Sequence, residues 1–497
     1  MSHNATLLRP MRPHTAAVPH QTTATSLPAA GKDPFTLFAE KMAAQGLSHQ
    51  LITLFHSYYE EILRNHTGMI ADADILPVGR EDLPCISSLA QYAARGRAEA
   101  AHAVVIKLNG GLGTGMGMTY AKSLIPVRNG LTFLEIIVHQ TEALQSTLGA
   151  QIPLALMNSF STDEDTRASL QAMQATHVLP YCFTQHKFPK VDRATLLPAA
   201  YPENPELEWN PPGHGDLFSA LALSGVLDAL LRQGRRYAFI SNSDNLGATL
   251  DPRLLGYIAA EGIPFLMEVA PRTVSDRKGG HLARTASGGL VLRELAQCPP
   301  EDLDKFQNIE RYGLFNTNNI WIDLRTLREH IRRHGLLRLP MILNPKTVNP
   351  RDMHSPKVYQ VESAMGSAIS CFPGARAVRT SRERFLPVKS CSDLLAVMSD
   401  CFVMKRDATL LPNPARLLPP IVIELDKAHF GTIEGLEAHF PHGTPSLAAC
   451  RSLTVQGDVT FGADITVVGD VVIRNYSPLP VRLPAGMRID HDILIEE

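Results

Sequence analysis

The sequence VVIKLNGGLGTGMGMTYAKSLIPV runs from Val104 to Val127, and the chemistry of the chain centres on it. Its apolar beginning, Val104 to Leu108, is typical of a strand buried on both faces of a parallel sheet. Glycines are then dense from Gly110 to Gly117, and Lys122 follows them. Glycine lets backbone N–H groups approach a ligand closely, and successive N–H groups form a concave site for anions. The stretch therefore predicts a phosphate-binding loop at the end of a buried strand.

The common nucleotide-binding motifs do not describe this loop. A dinucleotide motif G-x-G-x-x-G would place its third glycine at Met116 or Met118, and Glu135 lies in a helical pattern. A P-loop requires Gly before Lys-Ser, and that residue is Ala121 here. The alternative is a glycine-rich turn without a ligand. Misplaced glycines weaken a local fold by roughly 0.5–1 kcal/mol each, which favours the ligand-binding interpretation.

Length and composition indicate a large globular protein. The chain has 497 residues, which favours two to four domains, and 44% of them are hydrophobic. Its 47 basic and 49 acidic residues give a net charge of −2, without a basic block, so we expect no nucleic-acid or membrane partner. Seven cysteines, an odd number without a C-x-x-C pair, favour a reducing compartment and argue against a structural zinc site, and we expect a cytoplasmic protein.

The N-terminal part divides into a tail and a helical segment. Residues 1–32 lack acidic residues and carry Arg9, Arg12 and many Ser and Thr, which predicts a disordered tail, with a transit peptide as the alternative. Asp33-Pro34 is a typical helix start, and residues 33–100 are expected to form a helical segment.

Residues 101–405 are expected to form the catalytic domain. Strand-like and helix-like segments alternate there, which predicts a mixed α/β sheet with helices on both faces. Within it, LFSALALSGVLDALLRQG predicts one helix that ends at Gly234. Ligands of such sheets bind at the carboxyl ends of strands, and both the glycine loop and the sequence SNSDN fall there.

Residues 406–497 have a different periodicity. Leu453, Val459, Ile465 and Val471 are spaced by six, and a second apolar series repeats the spacing two positions later. This pattern predicts a short parallel β-helix, with an antiparallel meander as the alternative. The segment LLPNPARLLPP, from Leu410, is expected to be the linker into it.

Three polar groups are candidates for chemistry. Asp244, just past an apolar strand, is a candidate Mg²⁺ ligand, although Asn/Asp turns are also common. His214 lies between two glycines before a helix, where anions are favoured, or it is an ordinary cap residue. Lys389 follows an apolar segment, which indicates a positioned lysine rather than a solvated one.

At these motifs the chain resembles the eukaryotic-type UTP–glucose-1-phosphate uridylyltransferase family, also called UDP-glucose pyrophosphorylases. The resemblance implies a nucleotidyltransferase-type (Rossmann-like) α/β mixed sheet with a C-terminal left-handed parallel β-helix. It runs from about Phe35 to the C-terminus and rests on these segments, in order: LNGGLGTGMG, KSLIPVRNGLTFLE, MNSFSTDEDT, PPGHGDLFSAL, FISNSDNLGATLD, MEVAPRTVSDRKGG, FNTNNIWIDL, LNPKTV and RFLPVKSCSDLL.

The resemblance also implies a role for individual residues. Lys122 and Lys389 would be catalytic and contact the reacting phosphates, and Asp244 would bind Mg²⁺. UTP would be bound by Leu108, Asn109, Gly110, Gly111, Lys122, Gln185, Gly213, Asn242, Ser243, Asp244 and Lys389. Glucose 1-phosphate would be bound by His214, Glu268, Asn318, Asn319 and Glu362.

The implied reaction is Mg²⁺-dependent transfer of uridylyl from UTP to glucose 1-phosphate, giving UDP-glucose and pyrophosphate. The alternatives are broader specificity for sugar 1-phosphates, or a catalytically silent regulator that binds UDP-sugars. The chain departs from the family pattern at Gly115, where serine is usual, and at Tyr120-Ala121, where Gly-Pro is usual. Self-association through the C-terminal β-helix is a further expectation.

Overall fold

The computed structural model describes residues 33–496. The predicted tail, residues 1–32, therefore lies outside the described residues. The α-helices are Phe35–Ala44, His49–Leu63, Ala93–Glu99, Phe133–Leu148, Asp163–Ala172, Leu217–Leu223, Val226–Arg232, Pro252–Glu261, Leu303–Gln307, Leu324–His334, Cys391–Met398, Lys427–Phe430 and Ile433–His439.

The first two helices pack against a small sheet rather than against the large one. Ser48 caps the second helix by accepting a hydrogen bond from the backbone N–H of Leu51 at 3.2 Å. The buried aromatic faces of both helices contact Phe188 and Val361. The small sheet is antiparallel and consists of Met341–Thr347, Lys357–Ser363 and Val191–Asp192.

A ten-stranded mixed sheet forms the centre of the molecule, as predicted. Its main path runs through Ile75–Pro77, His281–Thr285, Leu314–Asp323, Tyr237–Asn242, Ala103–Asn109, Leu154–Asn158 and Cys182–Thr184, of which the last four are parallel to one another. The remaining strands are Phe265–Pro271, paired with Leu314–Asp323 and Arg376–Arg379, and Leu290–Arg293, paired with His281–Thr285.

The strand that precedes the glycine loop is buried on both faces, which confirms its interpretation from the sequence. Val104 and Ile106 belong to one buried cluster, whereas Val105 belongs to the cluster on the opposite face. Helices cover both faces; the one on Phe133–Leu148 begins with a capping box in which Thr132 and Glu135 exchange hydrogen bonds. These packed layers hold the loop at the carboxyl edge of the sheet.

The prediction of a single helix that ends at Gly234 is wrong. The segment forms two helices, Leu217–Leu223 and Val226–Arg232, because Gly225 between them has a left-handed φ of 79°. Within residues 33–496, no single helix is long and apolar enough to cross a membrane; only His214–Leu223 and Val226–Arg232 taken together, with a bend of 65° between them, have the length and composition for it.

The C-terminal strands lie in parallel sheets, so the antiparallel alternative is wrong. One sheet contains Val422–Leu425, Cys450–Gln456, Gly469–Asn475 and Ile493–Ile495, and two smaller ones pair Val459–Thr460 with Val481–Arg482 and Thr466–Val467 with Arg488–Ile489. The apolar residues that recur every six positions are buried between these sheets. The predicted linker begins as a strand, Leu410–Pro412, which pairs with Phe402–Met404. Other short strands are Pro126–Arg128, Leu131–Thr132, Phe188–Pro189 and Trp209–Asn210.

Candidate active site

The glycine loop leaves the central sheet at Asn109 and closes on itself. Gly113 and Gly117 have φ of 61° and 78°, a left-handed conformation that favours glycine. The backbone N–H of Lys122 donates to the carbonyl oxygen of Gly111 at 3.0 Å. The loop therefore places the Lys122 side chain beside the first glycines.

Residues predicted to bind the nucleotide meet at one end of this loop. The Gln185 amide Nε2 donates to the Gly213 carbonyl at 2.7 Å, and a Cβ added to Gly110 would lie 3.4 Å from Gln185 Oε1. The Asn109 side chain is buried instead, where it donates to Asn158 Oδ1 and Thr166 Oγ1, both at 2.9 Å. The Asn109 carbonyl accepts the Thr162 hydroxyl at 2.9 Å, so both its side chain and its backbone fix the end of the strand.

Two distant segments converge on Lys122. The Ser243 N–H donates to Leu108 O at 3.0 Å, which sets the Asn242–Asp244 turn beside the loop. Lys122 Nζ pairs with Asp244 Oδ2 at 2.7 Å and also donates to Val388 O. Val388 in turn donates its N–H to Asp244 O at 3.1 Å. Lys389, the next residue, is thereby held close to both groups.

Asp244 meets the requirements of a cation ligand. Its second carboxylate oxygen, Oδ1, is buried and accepts no hydrogen bond from any residue in the range 33–496. Leaving a buried carboxylate oxygen without a partner costs free energy, so such an atom indicates a ligand. An oxygen donor of this kind suits Mg²⁺.

A cavity of about 540 Å³ opens next to this cluster. Among the predicted residues, Asn242, Asn318 and Lys389 line it. Glu294 also lines it; burial raises the pKa of this carboxyl, an effect that the nearby Lys389 opposes. Asn318 has a φ of 58°, a strained conformation that interrupts the strand Leu314–Asp323 at the cavity wall.

His214 is held as a neutral hydrogen-bond donor. Burial, reinforced by Lys389, lowers the pKa of His214 to about 4. Its Nδ1 accepts the backbone N–H of Met365 at 3.0 Å, so the ring proton resides on Nε2. Gly213 before it has a φ of 76°, and a Cβ there would lie 2.4 Å from Ser363 O. Glu362 lies beside Gly213, and burial raises the pKa of its carboxyl.

Glu268 and Asn319 lie behind the cavity and are fully buried. Arg384 forms two hydrogen bonds to the Glu268 carboxylate, at 2.6 and 2.7 Å, and the Trp321 indole N–H adds one at 2.9 Å. Asn319 Nδ2 donates to the Arg384 carbonyl at 3.1 Å. The side chains of Glu268 and Asn319 therefore do not reach the loop or the cavity, whereas the other predicted residues lie towards them.

Sequence reasoning missed two groups at the site. Glu294 lies in an unremarkable loop, and no sequence pattern identifies it. Lys107 was detectable as a charge inside the apolar run VVIKL. It is buried, donates to Ser241 Oγ and Ala248 O at 2.8 Å each, and burial lowers its pKa to about 7.

Known proteins resemble this chain over most of its length. A sequence profile of the family described as UTP–glucose-1-phosphate uridylyltransferase matches residues 52–468. The enzyme of that name from Saccharomyces cerevisiae is 42% identical over 391 residues, which span 78% of this chain and 77% of the yeast protein. The one from Solanum tuberosum is 41% identical over 385 residues, 77% of this chain and 79% of the potato protein.

Solved structures give the same result. A variant of UDP-glucose pyrophosphorylase from Leishmania major, in complex with UDP-glucose, superposes with a TM-score of 0.87 at 41% identity, covering 93% of this chain and 99% of that one. A protein described as UDP-glucose phosphorylase from Trypanosoma brucei superposes with a TM-score of 0.82 at 45% identity, covering 93% of this chain and 100% of that one.

Proposed function

The chain belongs to the UTP–glucose-1-phosphate uridylyltransferase family, and we propose that it transfers uridylyl from UTP to glucose 1-phosphate, giving UDP-glucose and pyrophosphate. The observation that carries this proposal is the convergence of Lys122, Asp244 and the Val388-Lys389 segment on the glycine loop. Cations and a cation ligand meet there at the place where the sequence predicts the phosphates.

The reaction requires charge stabilisation rather than a general base. The attacking oxygen of the sugar phosphate is already anionic, and it displaces pyrophosphate from the α-phosphorus of UTP in line. The barrier arises from bringing two polyanions together and from charge on the transferred group. Lys122 and Lys389 are the proposed catalytic residues, because ammonium groups at this point would lower that barrier. Lys122 is fixed by its ion pair with Asp244, whereas the Lys389 side chain is exposed and extends from a segment held through Val388.

Asp244 is the proposed Mg²⁺ ligand, through its buried Oδ1 atom. Bound Mg²⁺ would neutralise phosphate charge and complete the electrostatic site. Lys122 then has two tasks, because its ion pair with Asp244 Oδ2 also orients that carboxylate.

The two substrates are assigned to the two sides of the cluster. Leu108 to Gly111, Gln185, Gly213 and the Asn242–Asp244 turn form the proposed UTP side, whereas His214, Asn318 and Glu362 form the sugar-phosphate side. His214 would donate Nε2–H to an oxygen of the sugar phosphate, as a neutral imidazole. For Glu268 and Asn319, their buried contacts favour a positioning role: through Arg384 they hold the segment that leads to Lys389.

The alternatives are less well supported. The relatives are named for glucose 1-phosphate, which does not favour broader specificity, and a silent regulator has no need of the Lys122–Asp244 pair. Turnover of several sugar 1-phosphates at similar kcat/KM would favour broader specificity. Binding of UDP-sugars without turnover would favour a silent regulator.

The domain organisation, self-association and localisation belong to the same proposal. The parallel C-terminal sheets support a left-handed β-helix over residues 406–497, following a catalytic domain at 101–405; the segment 33–100 is mainly helical but contributes the strand Ile75–Pro77 to the central sheet. The tail could also mediate self-association, since Ile493–Ile495 ends its sheet and Leu494 is exposed. Seven free thiols support a reducing compartment such as the cytoplasm.

Alanine substitution of the two lysines tests the catalytic proposal. We expect Lys122→Ala and Lys389→Ala each to lower kcat by about 10²–10³, because each removes an electrostatic donor to the reacting phosphates. Pyrophosphate release from UTP, Mg²⁺ and glucose 1-phosphate is the measurement, and exposed Lys405→Ala is the matched control. Turnover near the wild-type level in both variants would contradict the assignment, and no turnover by the wild-type chain would contradict the activity.

A further inference from the structure

A cluster of two histidines and an aspartate lies in the C-terminal part, outside the proposed active site. His429 and His439 come from the two short helices Lys427–Phe430 and Ile433–His439, and Asp458 follows the strand Cys450–Gln456. One ligand atom from each of the three side chains lies within 4.8 Å of the others. All three residues are partly buried, so a bound species would be shielded but reachable from solvent.

The hydrogen bonds of His439 leave its second ring nitrogen facing the Asp458 carboxylate. Its Nδ1 lies 2.6 Å from the carbonyl oxygen of Gly435, which can only accept, so the ring carries a proton on Nδ1. Nε2 then points at Asp458 Oδ1 from 3.1 Å. In a neutral ring, a nitrogen lone pair would face a carboxylate oxygen. That contact becomes favourable when a proton or a metal ion lies between the two atoms.

Both of these ligands are held in place by their surroundings. The His439 carbonyl accepts the Phe461 N–H at 2.8 Å, in addition to the contact of the ring with Gly435. The Asp458 carbonyl accepts Val481 N–H at 3.1 Å and Asn475 Nδ2 at 2.8 Å. A histidine whose second nitrogen donates to a carbonyl is the usual arrangement at metal sites.

The third ligand completes a set that suits one class of metal. His429 Nδ1 lies 3.9 Å from Asp458 Oδ2. In a tetrahedral site with bonds of 2.0–2.2 Å, ligand atoms lie about 3.4 Å apart. The two histidine–aspartate distances, 3.1 and 3.9 Å, are close to this value, and the remaining distances, all within 4.8 Å, would shorten by rotation of the side chains. Two imidazoles and one carboxylate favour Zn²⁺ over Mg²⁺ and Ca²⁺, which prefer oxygen ligands.

We propose that His429, His439 and Asp458 bind one Zn²⁺ ion, with solvent as the fourth ligand. The ion would join the two helices to the parallel sheets of the tail, and it would be separate from the Mg²⁺ of the reaction. It would therefore serve the stability of the C-terminal part rather than uridylyl transfer.

Zinc titration of the full chain, by calorimetry in excess Mg²⁺, tests this site. We expect His429→Gln, His439→Gln and Asp458→Asn each to weaken the highest-affinity Zn²⁺ binding by roughly 10-fold or more. Two control histidines outside the cluster are His442, which contacts Arg482, and His334, whose ring lies 5.1 Å from that of His330. His442→Gln and His334→Gln should bind Zn²⁺ like the wild type.

Co²⁺ binding gives a second measurement, made in the cluster variant that should disturb folding least. The intense visible absorption of four-coordinate Co²⁺ should develop with the wild type and both controls, and should be lost in His429→Gln, whose side chain is the least engaged of the three. The proposal is overturned if the cluster variants bind Zn²⁺ as tightly as the wild type, if His334→Gln alone abolishes binding, or if the wild type binds none. The last result would mean that a proton bridges His439 and Asp458.

Discussion

At the scale of single residues, burial decides which groups carry charge. Burial lowers the pKa of Lys107 to about 7 and that of His214 to about 4, so His214 is neutral at pH 7 and Lys107 becomes neutral above it. Neutral Lys107 has two N–H donors, and its two acceptors, Ser241 Oγ and Ala248 O, satisfy both. His214 instead keeps one N–H for a ligand. By contrast, Lys122 keeps its charge partner, Asp244, and can meet phosphates as a cation.

Lys107 should make stability depend on pH. Its pKa is about 7 in the folded chain and about 10.4 when unfolded, so between these values the unfolded chain binds the extra proton. The free energy of unfolding of the wild type should therefore rise with pH relative to Lys107→Met, by at most about 1.4 kcal/mol per pH unit. Denaturant unfolding at pH 7 and pH 9 measures this, with exposed Lys405→Met as the control. A difference that stays constant with pH would contradict the pKa.

The departures from the family pattern also belong to this scale. A Cβ at Gly115 would meet no atom within 4 Å, so the serine usual there would fit without displacing the loop. Ala121 has a φ of −59°, which is the value that proline imposes. The backbone at Gly115 and Ala121 therefore follows a path that serine and proline at these positions could also adopt.

At the scale of elements, the site depends on contacts between strands and the segments that follow them. The strand Leu314–Asp323 carries Asn319 and Trp321, and the strand Phe265–Pro271 carries Glu268. Asn319 and Glu268 contact Arg384 directly, and Trp321 donates to Glu268. The carbonyl of Arg384 also accepts Asn245 Nδ2 at 3.1 Å, next to Asp244. One buried ion pair thus positions both sides of the Lys122 cluster.

Glu268→Gln should be strongly destabilising. It leaves the Arg384 guanidinium buried without its partner, and breaking such a pair costs about 3–5 kcal/mol. We expect the free energy of unfolding to fall by that amount and kcat to fall with it, since the Asn245 contact loosens. Glu261→Gln is the matched control, because Glu261 pairs with a partly exposed arginine, Arg376, and should cause little change. Equal midpoints of denaturation for the two variants would rule out this role.

The sequence predicts elements and local periodicity better than it predicts partners. Val104 to Leu108 determine a buried strand by themselves, and the six-residue period determines parallel pairing in the tail, because both depend on neighbours in the chain. The pairing of Glu268 with Arg384 joins residues 116 positions apart and leaves no local pattern. The break at Gly225 was missed because apolar residues continue on both sides of it.

At the scale of the whole molecule, the catalytic part and the tail share a hydrophobic core. One buried cluster includes Phe133 and Leu394 on the catalytic side and Leu447 and Phe461 on the tail side. Asp400 strengthens the junction, because its carboxylate accepts the Ser446 hydroxyl at 2.6 Å and the Leu447 N–H at 2.7 Å. We therefore expect the two parts to unfold together.

Asp400→Ala tests this shared core. The substitution removes two hydrogen bonds to a charged group, each worth roughly 1.5–3 kcal/mol, and should lower the thermal midpoint of the whole chain in one transition. Exposed Asp407, which accepts a single hydrogen bond from Thr409 N–H, provides the control as Asp407→Ala. Scanning calorimetry that resolves two separate transitions in the variant, with only one shifted, would show that the parts are independent.

The contact between Gly117 and Thr432 links the glycine loop to the tail. A Cβ at Gly117 would lie 2.7 Å from Thr432 Cγ2, and Thr432 caps the helix that ends at His439. A ligand that changes this contact when it binds at the glycine loop also affects the tail, and thermodynamic linkage makes the effect reciprocal. If UTP changes the equilibrium constant of a binding process in the tail by some factor, that process changes the affinity for UTP by the same factor.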